Sequence, residues 1–315
     1  MKTKRLLSAI LALVMIISLS ASAFAAKSGD NEESKIVNIL LLGTDVRNSQ
    51  TADPGRADCE LVLSLNFDTG EVKYISFENG IIVPLPEGVS SPDGRRDTYL
   101  TQCYYIGGGE LAEKTVSESF NLDLTGFAHV DYDAFEDVID AIGGIDIELT
   151  DIEAAALNGK VKTNTFPLKR TVSAGMEHLD GYEALQYVRL LFTDDDWTRQ
   201  QRQRNLMNVC VDKIRDLSLI DIAILAKTVI PLIETDMESG AMTAIILSLP
   251  KFFGSTVKEM QVPDGNMRED KIIECDFGYE SKKISDFIYG TDYLATHEYT
   301  SPVDENEFAG HTVVK

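Results

Sequence analysis

The apolar run at residues 36–43, IVNILLLG, constrains the fold of this chain more than any other part of the sequence. Its residues do not alternate between apolar and polar, which is typical of a β-strand buried on both faces. Such a strand needs other elements packed above and below its sheet. The run therefore predicts an α/β protein with this strand inside the sheet.

The rest of the chain alternates between strand and helix patterns. Strands are predicted at residues 60–66 and 71–77, joined by a hairpin turn at 67–70, and at 145–149 and 257–262. Apolar residues at helical spacing predict helices at 108–122, 131–144, 181–189, 199–217, 219–236 and 241–249. This pattern indicates one α/β domain over residues 36–265.

Three segments lack such a pattern. Residues 150–178 are polar and are interpreted as an excursion or flap. The run Gly107-Gly108-Gly109 is interpreted as a loop before a helix. Residues 266–315 are assigned to a polar C-terminal extension.

The first 25 residues have the layout of a secretory signal peptide. Lys2, Lys4 and Arg5 precede an apolar stretch at 6–19, and Ala23-Phe24-Ala25 offers a small-residue cleavage site. Residues 26–35 form a polar leader. We therefore expect an extracytoplasmic protein, secreted after cleavage or held at the outer face of the cell membrane if the segment is retained.

The chain is strongly acidic, with a net charge of −22 that becomes −25 when the three cations of the first 25 residues are removed (−22 − 3). Such a charge repels nucleic acid, which is excluded as a partner. An anionic ligand needs a local cluster of cations, so clustered arginines are informative here.

The four cysteines leave disulfides undecided, and Cys210, in an apolar helical stripe, is predicted to be a buried free thiol.

The predicted helix at 199–217 carries arginines on its inner face. Its apolar stripe consists of Leu206, Cys210, Ile214 and Leu217. The same stripe extends back to Arg199, Arg202 and Gln203 in the first turn. Because the helix dipole disfavours cations there, these arginines need a compensating anion. That anion is either a ligand, aided by the backbone N–H groups of the helix end, or the upstream run Asp194-Asp195-Asp196 acting as a structural cap.

Arg189 ends the preceding helix, and a short turn could bring it beside Arg199 and Arg202. Guanidinium groups match the geometry of phosphate, so a cluster of three in an acidic protein points to a phosphorylated ligand. Taken alone, Arg189 is equally well explained as a surface cation at a helix end.

Asp45 and Asp58 lie at the ends of two predicted strands. Two carboxylates placed in this way can hold Mg²⁺, although Asp residues more often cap turns. Together with the arginines they suit phosphoryl transfer.

The four histidines are scattered singly, and each is predicted to be a surface or loop residue.

Several segments, in this order, resemble the LytR-CpsA-Psr proteins of bacterial envelopes. The matching segments are NILLLGTDVR, GRAD, IGGGELAEKTV, DYDAFEDVIDAIGGIDIEL, AGMEHLDGYEALQYVR and DDDWTRQQRQRNLM. The resemblance implies a mixed central sheet flanked by helices on both faces and an apolar groove for a polyprenyl chain. It also implies a Mg²⁺-assisted phosphotransferase that moves a glycopolymer from a polyprenyl-pyrophosphate carrier to peptidoglycan, with the membrane surface as a further partner.

The same resemblance implies roles for individual residues. Asp45 and Asp58 would hold Mg²⁺. The residues around the pyrophosphate would be Arg56, Arg189, Arg199 and Arg202 as catalytic groups, with Arg47 and Gln203 binding substrate.

Two positions depart from the family pattern. Glu78-Asn79-Gly80 stands where Pro-Arg-Asp is usual, and Leu191 stands where a second arginine commonly follows Arg189. Arg95 and Arg96 are candidate substitutes. The departures favour one alternative to the enzyme, a non-catalytic secreted binder of lipid-linked glycan or cell-wall polymer. The acidic composition allows another, an extracellular scaffold that uses carboxylates to bind Ca²⁺.

Overall fold

The structure is a computed structural model. It describes residues 36–44, 54–78, 80–163, 165–190, 202, 205, 206, 209, 210, 212, 213, 217–252, 257–263 and 275–290.

A five-stranded mixed sheet forms the centre of the protein. Its strands are β1 (Ile36–Thr44), β2 (Ala57–Asn66), β3 (Val72–Phe77), β6 (Gly126–Val130) and β9 (Val257–Val262), in the order β6-β1-β2-β3-β9. β1 runs parallel to β6 and antiparallel to β2, and β3 runs antiparallel to β2 and parallel to β9. Two further two-stranded antiparallel sheets are formed by β4 (Ile82–Pro84) with β5 (Asp97–Tyr99), and by β7 (Ile145–Leu149) with β8 (Gly175–Leu179).

Seven α-helices lie within the described residues. They are α1 (Cys103–Phe120), α2 (Tyr132–Ala141), α3 (Asp151–Leu157), α4 (Gly181–Arg189), α5 (Leu219–Val229), α6 (Ser239–Leu247) and α7 (Phe277–Tyr289). The isolated described residues between 202 and 213 are also helical. Among all the described residues, no helix is both long enough and apolar enough to cross a membrane.

β1 is buried on both faces, as its apolar run predicts. Ile39 and Leu41 belong to the core beneath α2 and α4, whereas Leu40 and Leu42 belong to a second core beneath α1 and α7. Full burial of each such side chain stabilises the fold by about 1.5–3 kcal/mol. The predicted mixed sheet flanked by helices on both faces is confirmed.

Residues 150–178, which the sequence analysis interprets as an excursion or flap, contain α3 and most of β8. The start of α3 is fixed by a capping box. The Glu153 N–H donates to Thr150 Oγ1 at 3.3 Å, and Glu153 Oε2 accepts the Thr150 N–H at 3.0 Å. This reciprocal pair satisfies two backbone donors that a helix start leaves open.

The glycine run interrupts α1 instead of preceding it. Gly107 and Gly108 leave helical geometry, with φ of −150° and 68°, while Cys103 and its neighbours already form a helix. Gly109 lies where a Cβ atom would stand 2.0 Å from the Phe127 ring. The run therefore supplies a kink and a close approach between α1 and β6.

Two other segments differ from the sequence patterns. The helix predicted at 219–236 ends at Val229, where a 3₁₀ turn containing Pro231 follows. α7 lies within the segment assigned as an extension, and its Phe277, Ile284 and Ile288 complete the second core. The domain boundary at residue 265 stays a prediction.

The four cysteines are free thiols. Cys210 is buried, as predicted, and burial raises its pKa to about 12. Because the thiolate is the reactive form, this thiol is unreactive at neutral pH.

Candidate functional site

The topology of the central sheet gathers several strand ends at one edge. β1, β3 and β6 point the same way, because β1 is parallel to β6 and both β1 and β3 are antiparallel to β2. Their carboxyl ends, at Thr44, Phe77 and Val130, therefore meet the amino end of β2. In α/β proteins, ligands commonly bind at the carboxyl ends of strands. We name this region the carboxyl edge.

The strand ends next to the two predicted metal ligands are paired at the carboxyl edge. Thr44 pairs with Ala57 and Gly43 pairs with Cys59, so a register shift leaves Asp58 as an extra residue in β2. Asp45 follows Thr44 in the chain and lies outside the described residues, as does the side chain of Asp58. Two carboxylates from adjacent strand ends supply the oxygen ligands that Mg²⁺ prefers. The donor set therefore fits this ion, and the site stays a prediction.

Arg189 stands close to the end of β6. Its guanidinium carbon lies 4.6 Å from the ring centre of Tyr132, which begins α2 two residues after β6 ends. A cation over an aromatic face is held electrostatically by the ring. The contact therefore places Arg189, at the end of α4, close to the end of β6, which is the neighbour of β1 in the sheet.

Arg202 is buried, with 2% of its surface exposed, on the inner face that the sequence predicts. Its Nη1 lies 3.4 Å from Glu153 Oε1, and its Nη2 donates to the Leu190 carbonyl at 2.5 Å. The compensating anion visible for this arginine is thus a carboxylate of α3. These contacts join Arg202 to α3 and to the residue after Arg189. A direct pyrophosphate contact of Arg202 stays a prediction.

The other predicted residues divide between described and undescribed parts of the chain. Arg56 is exposed immediately before β2 at the carboxyl edge. Arg47, Arg199 and Gln203 lie outside the described residues.

Glu78, in the first segment that departs from the family pattern, lies in this region. Glu78 follows β3 and is buried, and its N–H donates to the Val262 carbonyl at 2.9 Å. Arg95, a candidate substitute for the missing arginine, instead pairs with Asp93 at 2.8 Å in the turn between β4 and β5. Asn79 and Leu191 lie outside the described residues.

A buried polar chain at the carboxyl edge was not predicted. His129, expected at the surface, lies in β6 and is only 3% exposed. Its Nε2 is 3.0 Å from Thr44 Oγ1, and its Nδ1 is 2.9 Å from Glu234 Oε2 and 3.0 Å from Tyr104 Oη. Tyr104 also donates to Glu234 Oε2 at 2.6 Å. We call these four residues the His129 chain.

The charges of the His129 chain are set by its contacts. The hydrogen bond from His129 is the largest cause that lowers the pKa of Glu234, and the hydrogen bond from Tyr104 lowers it further, while burial opposes both. Burial first, and then the hydrogen bond to Glu234, raise the pKa of Tyr104. At neutral pH the His129 chain therefore contains a carboxylate, Glu234, and a phenol, Tyr104, that remains a hydrogen-bond donor.

The sheet and its carboxyl edge define an α/β protein with a polar site where parallel strands end. The sequence model of the LytR_cpsA_psr family matches residues 17–288, and the chain belongs to that family. The resemblance found in the sequence is confirmed.

Curated relatives match the chain over part of their length. Polyisoprenyl-teichoic acid–peptidoglycan teichoic acid transferase TagT of Bacillus subtilis (strain 168) is 30% identical over 185 residues, which are 58% of this chain and 54% of TagT. The transferase TagU of Oceanobacillus iheyensis is 29% identical over 197 residues, which are 60% of this chain and 55% of TagU. The chain thus spans about half the length of these relatives.

Solved structures share the fold. Protein gbs0355 from Streptococcus agalactiae has a TM-score of 0.58 at 21% identity, covering 81% of this chain and 91% of its own. TagV of B. subtilis has a TM-score of 0.56 at 21% identity, covering 81% and 98%. TagT bound to LI-WTA has a TM-score of 0.55 at 21% identity, covering 86% and 99%. At these identities the likeness concerns the fold alone.

Proposed function

We propose that this protein is an extracytoplasmic phosphotransferase that moves a glycopolymer from a polyprenyl-pyrophosphate carrier to peptidoglycan. The observation that carries the proposal is the arrangement of the carboxyl edge. Arg189 stands against Tyr132 just after the end of β6, Asp58 lies at the start of β2, and Asp45 follows the last residue of β1 in the chain. Family membership and the relatives TagT and TagU, which are named as teichoic acid transferases, support it.

The chemistry of the proposed reaction requires positioning and charge neutralisation. A hydroxyl of peptidoglycan attacks the phosphorus that bears the glycan, and polyprenyl phosphate leaves with the electrons of the broken P–O bond. Negative charge is spread over the phosphoryl oxygens, so fixed cations supply most of the acceleration. Arg189 and Arg56 would neutralise this charge, with Arg199, Gln203 and Arg47 completing the substrate contacts.

Asp45 and Asp58 would hold Mg²⁺ beside the pyrophosphate. When bound, the ion would neutralise charge on phosphate oxygens, a role it commonly has in phosphoryl transfer. Arg202 would support the site indirectly, because its bonds to Glu153 and to Leu190 hold it against α3 and the residue after Arg189.

The test is release of polyprenyl phosphate by the purified protein from an envelope lipid carrier, with peptidoglycan as acceptor. We expect release with Mg²⁺, loss of release with a chelator, and a fall in kcat of about 100-fold or more for Arg189→Ala. Lys114→Ala, at an exposed position on α1, is the control and should leave release unchanged. No release from any envelope lipid carrier, with or without Mg²⁺, would overturn the proposal.

One observation favours a second function. Glu78 is a buried acidic residue at the carboxyl edge, in the segment where the family pattern has Pro-Arg-Asp. A non-catalytic binder of lipid-linked glycan would tolerate this change. In the same experiment such a protein would retain the carrier without releasing polyprenyl phosphate.

A further inference from the structure

The His129 chain links the carboxyl edge to the protein surface. Thr44, the last residue of β1, is 3% exposed, and His129 beside it is equally buried. At the other end, the side chain of Glu234 is 51% exposed. Continuous contacts of 3.0 Å from Thr44 to His129 and 2.9 Å from His129 to Glu234 join these ends.

The groups of the His129 chain that join Thr44 to Glu234 are, in order, a hydroxyl, an imidazole and a carboxylate. In enzymes that activate a hydroxyl, the imidazole takes the proton and the carboxylate orients the ring and stabilises the cation that forms. Here the backbone fixes the same geometry, because His129 and Glu234 exchange N–H···O bonds of 2.8 Å and 3.3 Å. The ring is therefore held between Thr44 and Glu234 by the main chain as well as by side chains.

The ring nitrogens of His129 contact a hydroxyl, a phenol and a carboxylate. Glu234 contacts Nδ1 directly, and Asp131, which follows β6, is close enough to act on Tyr104. Tyr104, from α1, donates to Glu234 and so holds the carboxylate in place. No lysine or arginine is found in contact with His129 among the described residues.

We propose that Thr44, His129 and Glu234 form a proton relay that accepts the proton of the attacking hydroxyl. This inference rests on the proposed function. The acceptor O–H bond breaks as its oxygen bonds to phosphorus, and polyprenyl phosphate leaves with the electron pair of the broken P–O bond. The released proton passes to Thr44 Oγ1, directly or through one water, while the proton of Thr44 passes to His129 Nε2. Glu234 stabilises the imidazolium, and the Nε2 proton then returns through Thr44 Oγ1 to water or to the departing polyprenyl phosphate.

Conservative variants test the relay by steady-state kinetics of polyprenyl phosphate release. Thr44→Val removes the hydroxyl at nearly constant volume, and His129→Asn removes the proton acceptor. We expect each to lower kcat by about 100-fold or more with KM little changed, because general base catalysis contributes about 10²–10⁴-fold. Glu234→Gln should lower kcat in the same way, and Thr44→Ser should restore it to within a few fold of wild type.

His178 provides a matched control, since its Nδ1 lies 2.8 Å from Asp146 in an exposed histidine–carboxylate pair. His178→Asn should leave kcat and KM unchanged. If His129→Asn does not fold, the half-exposed Glu234→Gln and the Thr44→Val and Thr44→Ser pair still decide the question.

The outcomes separate the relay from the proposed function. Wild-type kcat in folded Thr44→Val and Glu234→Gln, or a rise in KM without a fall in kcat, would overturn the relay while transfer stands. Failure of the wild-type protein to release polyprenyl phosphate would overturn the proposed function, and the relay with it.

Discussion

Arg202 and Glu153 form a buried ion pair that joins two distant parts of the chain. Their Nη1 and Oε1 atoms lie 3.4 Å apart, and each side chain is less than a tenth exposed. Glu153 also closes the capping box of α3 through its other oxygen. One carboxylate therefore starts a helix and neutralises an arginine of the segment that the sequence assigns to pyrophosphate binding.

This pair makes Arg202→Ala a test of stability. Removing the guanidinium would leave the Glu153 carboxylate buried without its cation, and breaking a buried pair in this way costs about 3–5 kcal/mol. We expect urea denaturation to show a loss of that size in the free energy of unfolding, and Arg96→Ala, at an exposed position, to show almost none. A change below about 1 kcal/mol for Arg202→Ala would mean that the pair is not structural.

Tyr132 is expected to position Arg189. The contact is worth about 0.5–2 kcal/mol, so Tyr132→Leu should lower kcat by about 2- to 30-fold. Tyr132→Phe keeps the ring and should stay near wild type. Steady-state release of polyprenyl phosphate provides the measurement, and Tyr105→Leu, at an exposed position in α1, is the control. Equal rates for the Leu and Phe variants of Tyr132 would show that the ring does not position the cation.

Two glycines should respond in opposite directions to alanine. A Cβ at Gly109 would lie 2.0 Å from Phe127, so Gly109→Ala should destabilise the protein by about 1–3 kcal/mol. Gly240 in α6 has open space around its Cβ position, so Gly240→Ala should stabilise by about 0.5–1 kcal/mol. Thermal unfolding of both variants checks the pair. Stabilisation by Gly109→Ala would contradict the close approach of α1 and β6.

Glu71 should make part of the stability depend on acid. Its hydrogen bonds to Lys258 and then to Lys73 lower its pKa below the usual value of 4.5. Since the folded pKa is the lower one, this contribution is present above pH 4.5 and is lost as the pH falls through the lowered pKa.

The change Glu71→Gln should therefore flatten the fall of unfolding free energy below pH 4.5, by less than about 1 kcal/mol because the pair is partly exposed. Urea titrations over this pH range measure the effect, with the exposed Glu87→Gln as control. An unchanged slope in Glu71→Gln would show that the two lysines do not act on this carboxyl.

Much of the fold is readable from local patterns, because β1 has no polar alternation and α4 has a clear apolar face. The capping box of α3 is also local, since Thr150 and Glu153 are three residues apart. It was not predicted, because the polar sequence around these residues shows no clear helical pattern. His129 could not be assigned in this way. Its strand is only five residues long, and its partners Thr44 and Glu234 are 85 and 105 positions away.

In the candidate site, too, local patterns are predictable from the sequence, whereas contacts between distant residues are not. The stripe of Leu206 and Cys210 correctly predicts that Arg202 faces inward. Its partner Glu153 is 49 residues distant, and no periodic pattern identifies which of the chain's 51 acidic residues meets it. Pairings across the fold therefore required the structure.

The most direct test of the proposed transfer is mass spectrometry of muropeptides after the protein is incubated with a polyprenyl-pyrophosphate-linked glycan, peptidoglycan and Mg²⁺. We expect muropeptides that carry the glycan through a phosphodiester, together with an equal amount of polyprenyl phosphate, and neither product with Arg189→Ala. Retention of the intact carrier by wild-type protein, with neither product formed, would contradict the transferase and identify a binder.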